Sequence, residues 1–152
     1  MIKIPAKVLL VDDEEDFVEM LSLRLKELGE KVTVAYSGQE GLDTLEDTLI
    51  DVVILDIKMP GMDGIQTLRE IKKRFPLVEV IMLTGHGSTE TAVEGMKLGA
   101  FDYLLKPADF SDLASKLEGA WKRKDEQVER IRKAEAKLLV RKSGGFFSDR
   151  FV

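Results

Sequence analysis

Short apolar runs alternate with amphipathic segments along most of the 152-residue chain. The runs contain many Val, Ile and Leu residues and are bounded by polar or glycine-containing segments, which predicts β-strands. Near-continuous apolar sequence in the central runs is typical of strands that are covered on both faces. Five strands are predicted, over residues 7–11, 31–35, 51–55, 78–83 and 101–105.

The segments between these runs have the spacing of helices. Phe17, Leu21, Leu25 and Leu28 recur at intervals of three or four residues, and Gly29 follows as a helix stop. Strands that alternate with helices predict βαβ units, whose right-handed crossovers place helices on both faces of a parallel sheet. Four more helices are predicted, over residues 39–49, 65–75, 89–98 and 111–142, of which the first is the least well marked.

The last two predicted helices differ in character. The helix over 89–98 carries Ala92, Val93 and Met96 on one face and ends at Gly99. The helix over 111–142 would be about 48 Å long at ~1.5 Å per residue, which is longer than a single domain needs. We therefore expect a doubly wound α/β domain with five parallel strands over residues 1–121, an extension of its last helix over 122–142, and a flexible tail over 143–152.

Composition narrows the class of protein. Hydrophobic residues make up 44% and charged residues 34% of the chain, which suits one globular domain with an appendage. Cysteine is absent, so disulfides, a thiolate nucleophile and a sulfur-ligated zinc or iron–sulfur site are excluded. The first residues do not resemble a signal peptide, and no apolar stretch approaches the ~18 residues of a spanning helix. We expect a cytoplasmic protein without membrane contact.

Charge is unevenly distributed along the chain, whose net charge is −5. Residues 1–120 contain 13 basic and 23 acidic residues, whereas residues 121–142 contain 9 basic and 4 acidic residues. A basic segment could contact nucleic acid, but interleaved acids are more typical of a solvated helix surface. No helix-turn-helix or other reader motif accompanies this segment, so nucleic-acid binding is the weaker interpretation.

Four of the predicted strands end in polar, reactive residues. Asp12 and Asp13 follow the first strand, and Asp56 follows the third. Thr84 follows the fourth strand and Lys106 the fifth. Ligands of open parallel sheets bind outside the carboxyl ends of the strands, so these side chains are expected to converge on one site.

The acidic residues of this site predict a hard divalent cation. Mg²⁺ is typically held by one or two carboxylates and leaves room for water and phosphate oxygens, and Mn²⁺ accepts similar ligands. Asp12 and Asp13 taken alone could equally well cap the next helix, and Glu14–Asp16 are expected to do so. The matching positions of Asp56 and Lys106 favour the metal interpretation.

Asp56 is a candidate nucleophile, because an Asp carboxylate beside a bound cation can form an acyl phosphate. The charge on the transferring phosphoryl oxygens must then be neutralised by positioned cations and donors. Lys106 fits the role of the cation and Thr84 that of the hydroxyl donor. Each residue taken singly would more often be an ordinary turn or surface residue.

These residues lie in motifs that resemble the response-regulator receiver domains of two-component signalling. The motifs are the acidic pair after Val-Leu-Leu-Val, Leu-Asp-Ile-Lys-Met-Pro-Gly-Met-Asp-Gly around Asp56, Thr-Gly after Val-Ile-Met-Leu, and Tyr-Leu-Leu-Lys-Pro ending at Pro107. The resemblance covers about residues 3–121 and implies a flavodoxin-like (βα)5 fold. The stretch from Leu83 to Lys106 is similar to receivers that precede enhancer-dependent AAA+ transcription activators, although no such ATPase follows here.

The resemblance implies roles for the residues around the phosphoryl group. Asp56 would be the phosphoacceptor, and Thr84 and Lys106 would bind the phosphoryl oxygens. A cis peptide is expected at Lys106–Pro107. Tyr103 occupies the position of the aromatic residue that moves when Thr84 is drawn inward, although a half-exposed strand tyrosine is the plainer interpretation.

The resemblance also implies a metal site and two residues that tune the phosphoryl lifetime. Asp13 would bind Mg²⁺ directly, Asp12 mainly through water, and Asp56 and the Lys58 backbone carbonyl would complete the protein ligands. The side chains of Lys58 and His86 would influence how long the acyl phosphate lasts. His86 has no evident catalytic partner, and its plain interpretation is an exposed loop residue.

The long last helix suggests an output surface. Dimerisation through this helix and docking on a partner are equally good interpretations, and a solvated, partly frayed helix is a third. The face formed by Thr89–Leu105 is a second candidate for a homodimer. Along the helix a weak heptad-like seam with two polar interruptions is formed by Trp121, Lys124, Val128, Ile131, Glu135 and Leu138.

The function that these features favour is a phosphorylation switch. The donor would be a histidine kinase or phosphotransfer protein, and the sequence does not identify the output partner. The chain would not be an enzyme, apart from catalysing its own phosphoryl transfer and dephosphorylation. An alternative is a Mg²⁺-dependent phosphatase or phosphotransferase, but Lys58 stands two residues after Asp56, where a general acid would be needed. A nucleic-acid-binding regulator that uses the basic tail is the other alternative.

Overall fold

A five-stranded parallel sheet lies at the centre of the protein. The computed structural model describes residues 4–58, 63–85 and 89–151, with side chains described as far as residue 142. The strands are β1 (Lys7–Val11), β2 (Lys31–Ala35), β3 (Val52–Asp56), β4 (Glu79–Thr84) and β5 (Asp102–Leu105). Their order in the sheet is β2-β1-β3-β4-β5, as expected for a doubly wound sheet.

In the part of the chain that the structure describes, five helices connect and follow the strands, so the predicted alternation is confirmed. Four of them are short and the last one is long. They are α1 (Glu15–Glu27), α2 (Gly38–Asp47), α3 (Gly64–Arg74), α4 (Thr89–Lys97) and α5 (Phe110–Phe151). Among the described residues, no helix is long and apolar enough to cross a membrane.

The core consists of two layers because successive strand side chains point to opposite faces of the sheet. Leu9 and Val11 face the helices α2 and α3 in one buried cluster. Val8 and Leu10 face α1 and α5 in the other. Burying one such side chain contributes roughly 1.5–3 kcal/mol, so the two layers hold the strand ends in fixed positions.

The strands β3 and β4 begin and end one residue later than the sequence predicts. Asp56 and Thr84 are therefore the last residues of their strands and do not lie in the loops that follow. The reason is that both residues continue the parallel ladder, with Asp56 paired to Leu83 and Thr84 paired to Leu105. Strand β5 begins one residue later than predicted, at Asp102.

Helix α4 presents a different face to the core from the one that its apolar residues suggest. Its buried residues are Ala92 and Gly95, whereas Val93 and Met96 are 49% and 40% exposed. A Cβ atom on Gly95 would overlap the side chain of Met82. The glycine therefore allows α4 to pack tightly on β4, and the larger apolar side chains of α4 remain at the surface.

Two ion pairs fix the last helix to the edge of the sheet at which the amino ends of β3 and β4 lie. Asp56 and Thr84 lie at the opposite, carboxyl edge. Lys124 Nζ lies 2.6 Å from Asp51 Oδ1, and Arg123 pairs with Glu79, which is 2% exposed. We call these two contacts the amino-edge ion pairs. They lie where α5 leaves the domain, and the described side chains from residue 130 to residue 142 are exposed.

Two expectations about α5 need revision. Trp121 packs against the core cluster beneath α1 and α5, and Lys124 binds Asp51, so neither is available as the first part of a helix–helix seam. The seam that remains consists of Val128, Ile131, Glu135 and Leu138. The helix also continues through Gly144 and Gly145 instead of ending before them. Flexibility of residues 143–152 stays a prediction.

Gly64→Ala should lower the free energy of unfolding by about 1–3 kcal/mol. A Cβ atom at this position would overlap Ile57 Cα and lie 2.6 Å from the Asp56 carbonyl oxygen. Both are backbone atoms, so the start of α3 must move. Urea unfolding followed by circular dichroism measures the loss.

Gly85→Ala is the matched control for this variant. A Cβ atom on Gly85 would meet no atom of the described residues within 4 Å. Its free energy of unfolding should stay within about 0.5 kcal/mol of the wild-type value. Similar losses in the two variants would contradict the close approach of α3 to Asp56.

Candidate functional site

Three carboxylates meet at the carboxyl edge of the sheet. Asp12, Asp13 and Asp56 each offer an oxygen atom, and these atoms lie within 4.8 Å of one another. Asp12 and Asp56 are 2% and 4% exposed, whereas Asp13 is exposed. The backbone fixes this arrangement, because Asp12 N–H donates to Ala35 O at 3.1 Å and Asp56 belongs to the β3–β4 ladder.

Lys106 supplies positive charge to this cluster. Its ammonium donates to Asp12 Oδ2 at 2.8 Å and to Glu14 Oε1 at 3.2 Å, and it lies 3.6 Å from Asp56 Oδ2. The Lys106 N–H donates to Thr84 O at 2.7 Å, which fixes the backbone after β5 beside the end of β4. The cis peptide expected between Lys106 and Pro107 is present.

The site changes the proton affinity of both residues that face its centre. Burial, followed by the charge of Asp12, raises the pKa of Asp56 from 3.8 to about 6, although Lys106 acts in the opposite direction. Burial lowers the pKa of Lys106, but its hydrogen bond to Asp12 and the nearby charge of Asp56 outweigh this effect, so the pKa is raised. Lys106 is therefore charged at neutral pH. The raised pKa of Asp56 lies closer to neutral pH than the ordinary value of an Asp carboxyl group does.

The loop after Asp56 is held by hydrogen bonds to its backbone. Asp56 Oδ1 accepts a hydrogen bond from Lys58 N–H at 3.2 Å, and Ile57 N–H donates to Leu83 O at 3.0 Å. Gly64 N–H donates to Ile57 O at 3.0 Å, which draws the start of α3 against this loop. The Lys58 side chain is exposed at the rim of the site.

The structure places the two expected switch residues on adjacent strands. Thr84 is 1% exposed, and its hydroxyl is 3.5 Å from Leu104 O, so it is directed toward β5. Tyr103 lies on β5, paired in register with Met82, and is 40% exposed. His86, the other expected residue of this region, lies outside the described residues.

Two residues at the start of α1 contact Lys106 in a way that the sequence does not predict. Glu14 is the N-cap residue of α1, as its position predicts, but it makes no side-chain capping bond, and its carboxylate accepts a hydrogen bond from Lys106. Phe17 packs against the core, and the Lys106 ammonium lies 4.7 Å from the centroid of its ring. The available signal was their position, because both lie within one helical turn after the acidic pair.

The donor set of the cluster fits a divalent metal ion. Carboxylate oxygens are the ligands that hard cations such as Mg²⁺ prefer, and three of them converge here from two strand ends. Burial and then the charge of Asp12 raise the pKa of Asp56, and a bound cation would act in the opposite direction. The acidic triad is thus consistent with a divalent metal site.

Comparisons with known proteins point to one family. The family described as "Response regulator receiver domain" matches residues 8–118. The chain is 42% identical over 113 residues to the transcriptional regulatory protein ZraR of Escherichia coli K12, and the match covers 74% of this chain and 26% of ZraR. It is 43% identical over 116 residues to the transcriptional regulatory protein GlrR of the same organism, with 76% and 26% covered. The chain thus spans about a quarter of the length of these curated relatives.

Solved structures give the same result. A response regulator receiver domain protein from Clostridium thermocellum is 43% identical, with a TM-score of 0.77 over 80% of this chain and 98% of that protein. NtrX from Brucella abortus is 33% identical, with a TM-score of 0.79 over 84% of this chain and 30% of NtrX. Because the family match spans most of the α/β domain and these identities accompany the same fold, the chain belongs to the response regulator receiver domain family.

Proposed function

We propose that this chain is a signalling switch that accepts a phosphoryl group on Asp56. The family implies phosphorylation-dependent signalling, and its members are typically regulatory phosphoacceptors without enzymatic activity. The observation that supports the proposal is the convergence of Asp12, Asp13 and Lys106 on the buried carboxylate of Asp56. Any catalysis would be limited to the chain's own phosphorylation and dephosphorylation.

The proposed reaction is the transfer of a phosphoryl group from a phosphohistidine. The P–N bond of the donor breaks, and a P–O bond forms to a carboxylate oxygen of Asp56. The electron pair of the P–N bond returns to the imidazole, and an acyl phosphate is left on Asp56. The donor would be a histidine kinase or a phosphotransfer protein. The chain would then act in the cytoplasm, where ATP is supplied to such kinases.

Mg²⁺ is the cation that we propose for the acidic triad, and Mn²⁺ could replace it. Asp13 and Asp56 would bind it directly and Asp12 mainly through water, and the Lys58 backbone carbonyl would be a further ligand. The cation would neutralise charge between the carboxylates and the phosphoryl oxygens. Lys58 N–H already donates to Asp56 Oδ1, so this backbone segment lies close enough to take part.

Lys106 and Thr84 would stabilise the phosphoryl oxygens. The Lys106 ammonium lies 3.6 Å from Asp56 and can exchange one of its carboxylate partners for a phosphoryl oxygen. Among the described residues, the Thr84 hydroxyl makes only a long contact with Leu104 O, so little is lost when it turns toward Asp56. The side chains of Lys58 and His86 would tune the lifetime of the acyl phosphate.

The output would begin at the surface formed by α4 and β5. When Thr84 turns inward, it would leave space that the ring of Tyr103 can fill, and this would alter the surface around it. Val93, Met96, Tyr103 and Leu105 are all between 40% and 49% exposed, which is unusual exposure for large apolar residues on adjacent elements. We propose that this apolar surface is the phosphorylation-sensitive face.

The exposed part of α5 is the second output element, and we propose that it joins two copies of the chain. Ile131 and Leu138 are 43% and 56% exposed and lie seven residues apart on one side of the helix. The alternative use of this segment in nucleic-acid binding is less favoured. Arg123 and Lys124, two of its basic residues, are already paired with Glu79 and Asp51.

Asp56→Asn should abolish phosphorylation by a small donor, because the amide is not a nucleophile toward phosphorus. The protein is mixed with Mg²⁺ and phosphoramidate, and the adduct is measured by intact mass. Asp43→Asn is the matched control, since Asp43 is exposed on α2 and bonds only Gln39 among the contacts described. A phosphoryl adduct that survives in Asp56→Asn would contradict the assignment of the phosphoacceptor.

Without divalent cations, Asp56→Asn should raise the free energy of unfolding at pH 7.5 by about 1–3 kcal/mol. Burial and then Asp12 raise the pKa of Asp56 from 3.8 to about 6, so the folded state binds its proton more tightly than the unfolded state. The wild type therefore loses this contribution to its free energy of unfolding as the pH rises from about 4 to about 6. Asp56→Asn does not lose it, because an amide does not ionise.

Urea unfolding in a chelator at pH 4.5 and pH 7.5 tests this effect. The advantage of Asp56→Asn over wild type should be larger at pH 7.5, and added Mg²⁺ should stabilise wild type more than the variant. Asp43→Asn again serves as the control, because its carboxylate is exposed. An equal advantage at both pH values would show that ionisation of the buried Asp56 carboxyl group does not cost stability.

The double variant Ile131→Asn with Leu138→Asn should raise the dimer dissociation constant at least about tenfold, because each buried apolar side chain at such an interface contributes more than ~1 kcal/mol. Analytical ultracentrifugation over a range of concentrations measures the change. Val140→Asn is the control, since Val140 is 60% exposed but lies two residues from Leu138, on another side of the helix. A wild-type protein that stays monomeric before and after phosphorylation would refute dimerisation.

A further inference from the structure

The Lys106 ammonium contacts an aromatic ring as well as carboxylates. It donates to Asp12 at 2.8 Å and Glu14 at 3.2 Å, and it lies 3.6 Å from Asp56. The ring centroid of Phe17 is 4.7 Å away, within the ~6 Å range of a cation–π interaction. The side chain of Lys106 is 19% exposed, so most of it is covered by protein.

We propose that Phe17 is a positioning residue, whose ring holds the Lys106 ammonium within reach of a phosphoryl group on Asp56. This inference rests on the proposed function of Asp56. It adds to that function an uncharged residue on α1 that acts through Lys106 and does not itself touch the reacting atoms.

The carboxylates alone would not hold the ammonium in the position that phosphoryl transfer requires. Both hydrogen bonds lead to Asp12 and Glu14, whereas the contact with Asp56 is longer. When a phosphoryl oxygen arrives, the ammonium must give up part of this bonding. The attraction of a ring face comes from its quadrupole and does not compete for a particular N–H donor, so the contact with Phe17 can persist in both arrangements.

The ring can act in this way because the fold fixes it. Phe17 is partly buried and packs against the core cluster beneath α1 and α5. Lys106, in contrast, has a flexible four-carbon side chain that loses much conformational freedom when its ammonium is fixed. A rigid ring beside the ammonium reduces the freedom that remains to be lost when the phosphoryl group binds.

A second pair of the same kind provides a matched control. The guanidinium of Arg24 lies 4.0 Å from the ring centroid of Phe110, at the start of α5. Phe110 is also partly buried against the same core cluster. Phe110→Leu therefore removes a ring that contacts a cation and packs against that core cluster, but it leaves the groups around Lys106 unchanged.

The test uses the full chain, Mg²⁺ and fluoroberyllate, a phosphoryl analogue that binds Asp carboxylates. Bound fluoroberyllate is measured by ¹⁹F NMR at saturating Mg²⁺, and Mg²⁺ affinity is measured separately without fluoroberyllate.

Phe17→Leu should weaken fluoroberyllate binding by about two- to fivefold, as expected for the loss of one cation–π contact. Mg²⁺ affinity should stay unchanged, because the three carboxylates remain. Phe17→Tyr keeps the ring and should bind both as the wild type does, and Phe110→Leu should do so too.

Several results would overturn the inference. Phe17→Leu could bind fluoroberyllate as tightly as the wild type, or it could lose no more fluoroberyllate affinity than Phe110→Leu does. Phe17→Tyr could fail to bind fluoroberyllate as the wild type does. Phe17→Leu could also lose Mg²⁺ affinity in parallel, which would indicate general damage to the fold. Failure of the proposed function looks different. In that case the wild type itself binds no fluoroberyllate and takes no phosphoryl group on Asp56, and the role of Phe17 falls with it.

Discussion

Repulsion among three carboxylates is the constraint on which the rest of the site depends. Asp12, Asp13 and Asp56 present oxygens within 4.8 Å of one another, and two of these side chains are almost fully buried. Such an arrangement is stable only with compensating positive charge, which Lys106 supplies in part. Burial and then the charge of Asp12 raise the pKa of Asp56 to about 6, and Lys106 offsets this only in part. The crowded carboxylates are consistent with a divalent metal site, because a bound cation would neutralise part of their charge.

The core and the convergence of the site could be predicted from the sequence because both follow from local pattern. Apolar runs that end in Asp56, Thr84 and Lys106 predict buried parallel strands, and the carboxyl ends of such strands share one edge. Strand ends were less predictable. Asp56 looks like a loop residue in sequence, but its backbone pairs with β4 while its side chain faces the site.

The remaining features could not be predicted because they depend on contacts between distant segments. Glu14 and Lys106 are 92 residues apart, and no helix-capping rule anticipates their ion pair. Val93 and Met96 are apolar residues of an amphipathic helix, yet the close approach of Gly95 to Met82 decides which face of α4 is buried. Helix periodicity locates an apolar face, whereas side-chain shape across the interface determines how the helix is rotated.

The amino-edge ion pairs have a geometric consequence for α5. Beyond Lys124, residues 125–142 extend for about 27 Å at ~1.5 Å per residue, with no described support from the sheet. The helix is therefore a lever arm with its pivot at Glu79 and Asp51. A rotation of about 10° at this pivot would displace its far end by roughly 5 Å, similar to the distance between two neighbouring strands. A change too small to disturb the packing of the domain would thus be amplified into one that a second protein could detect.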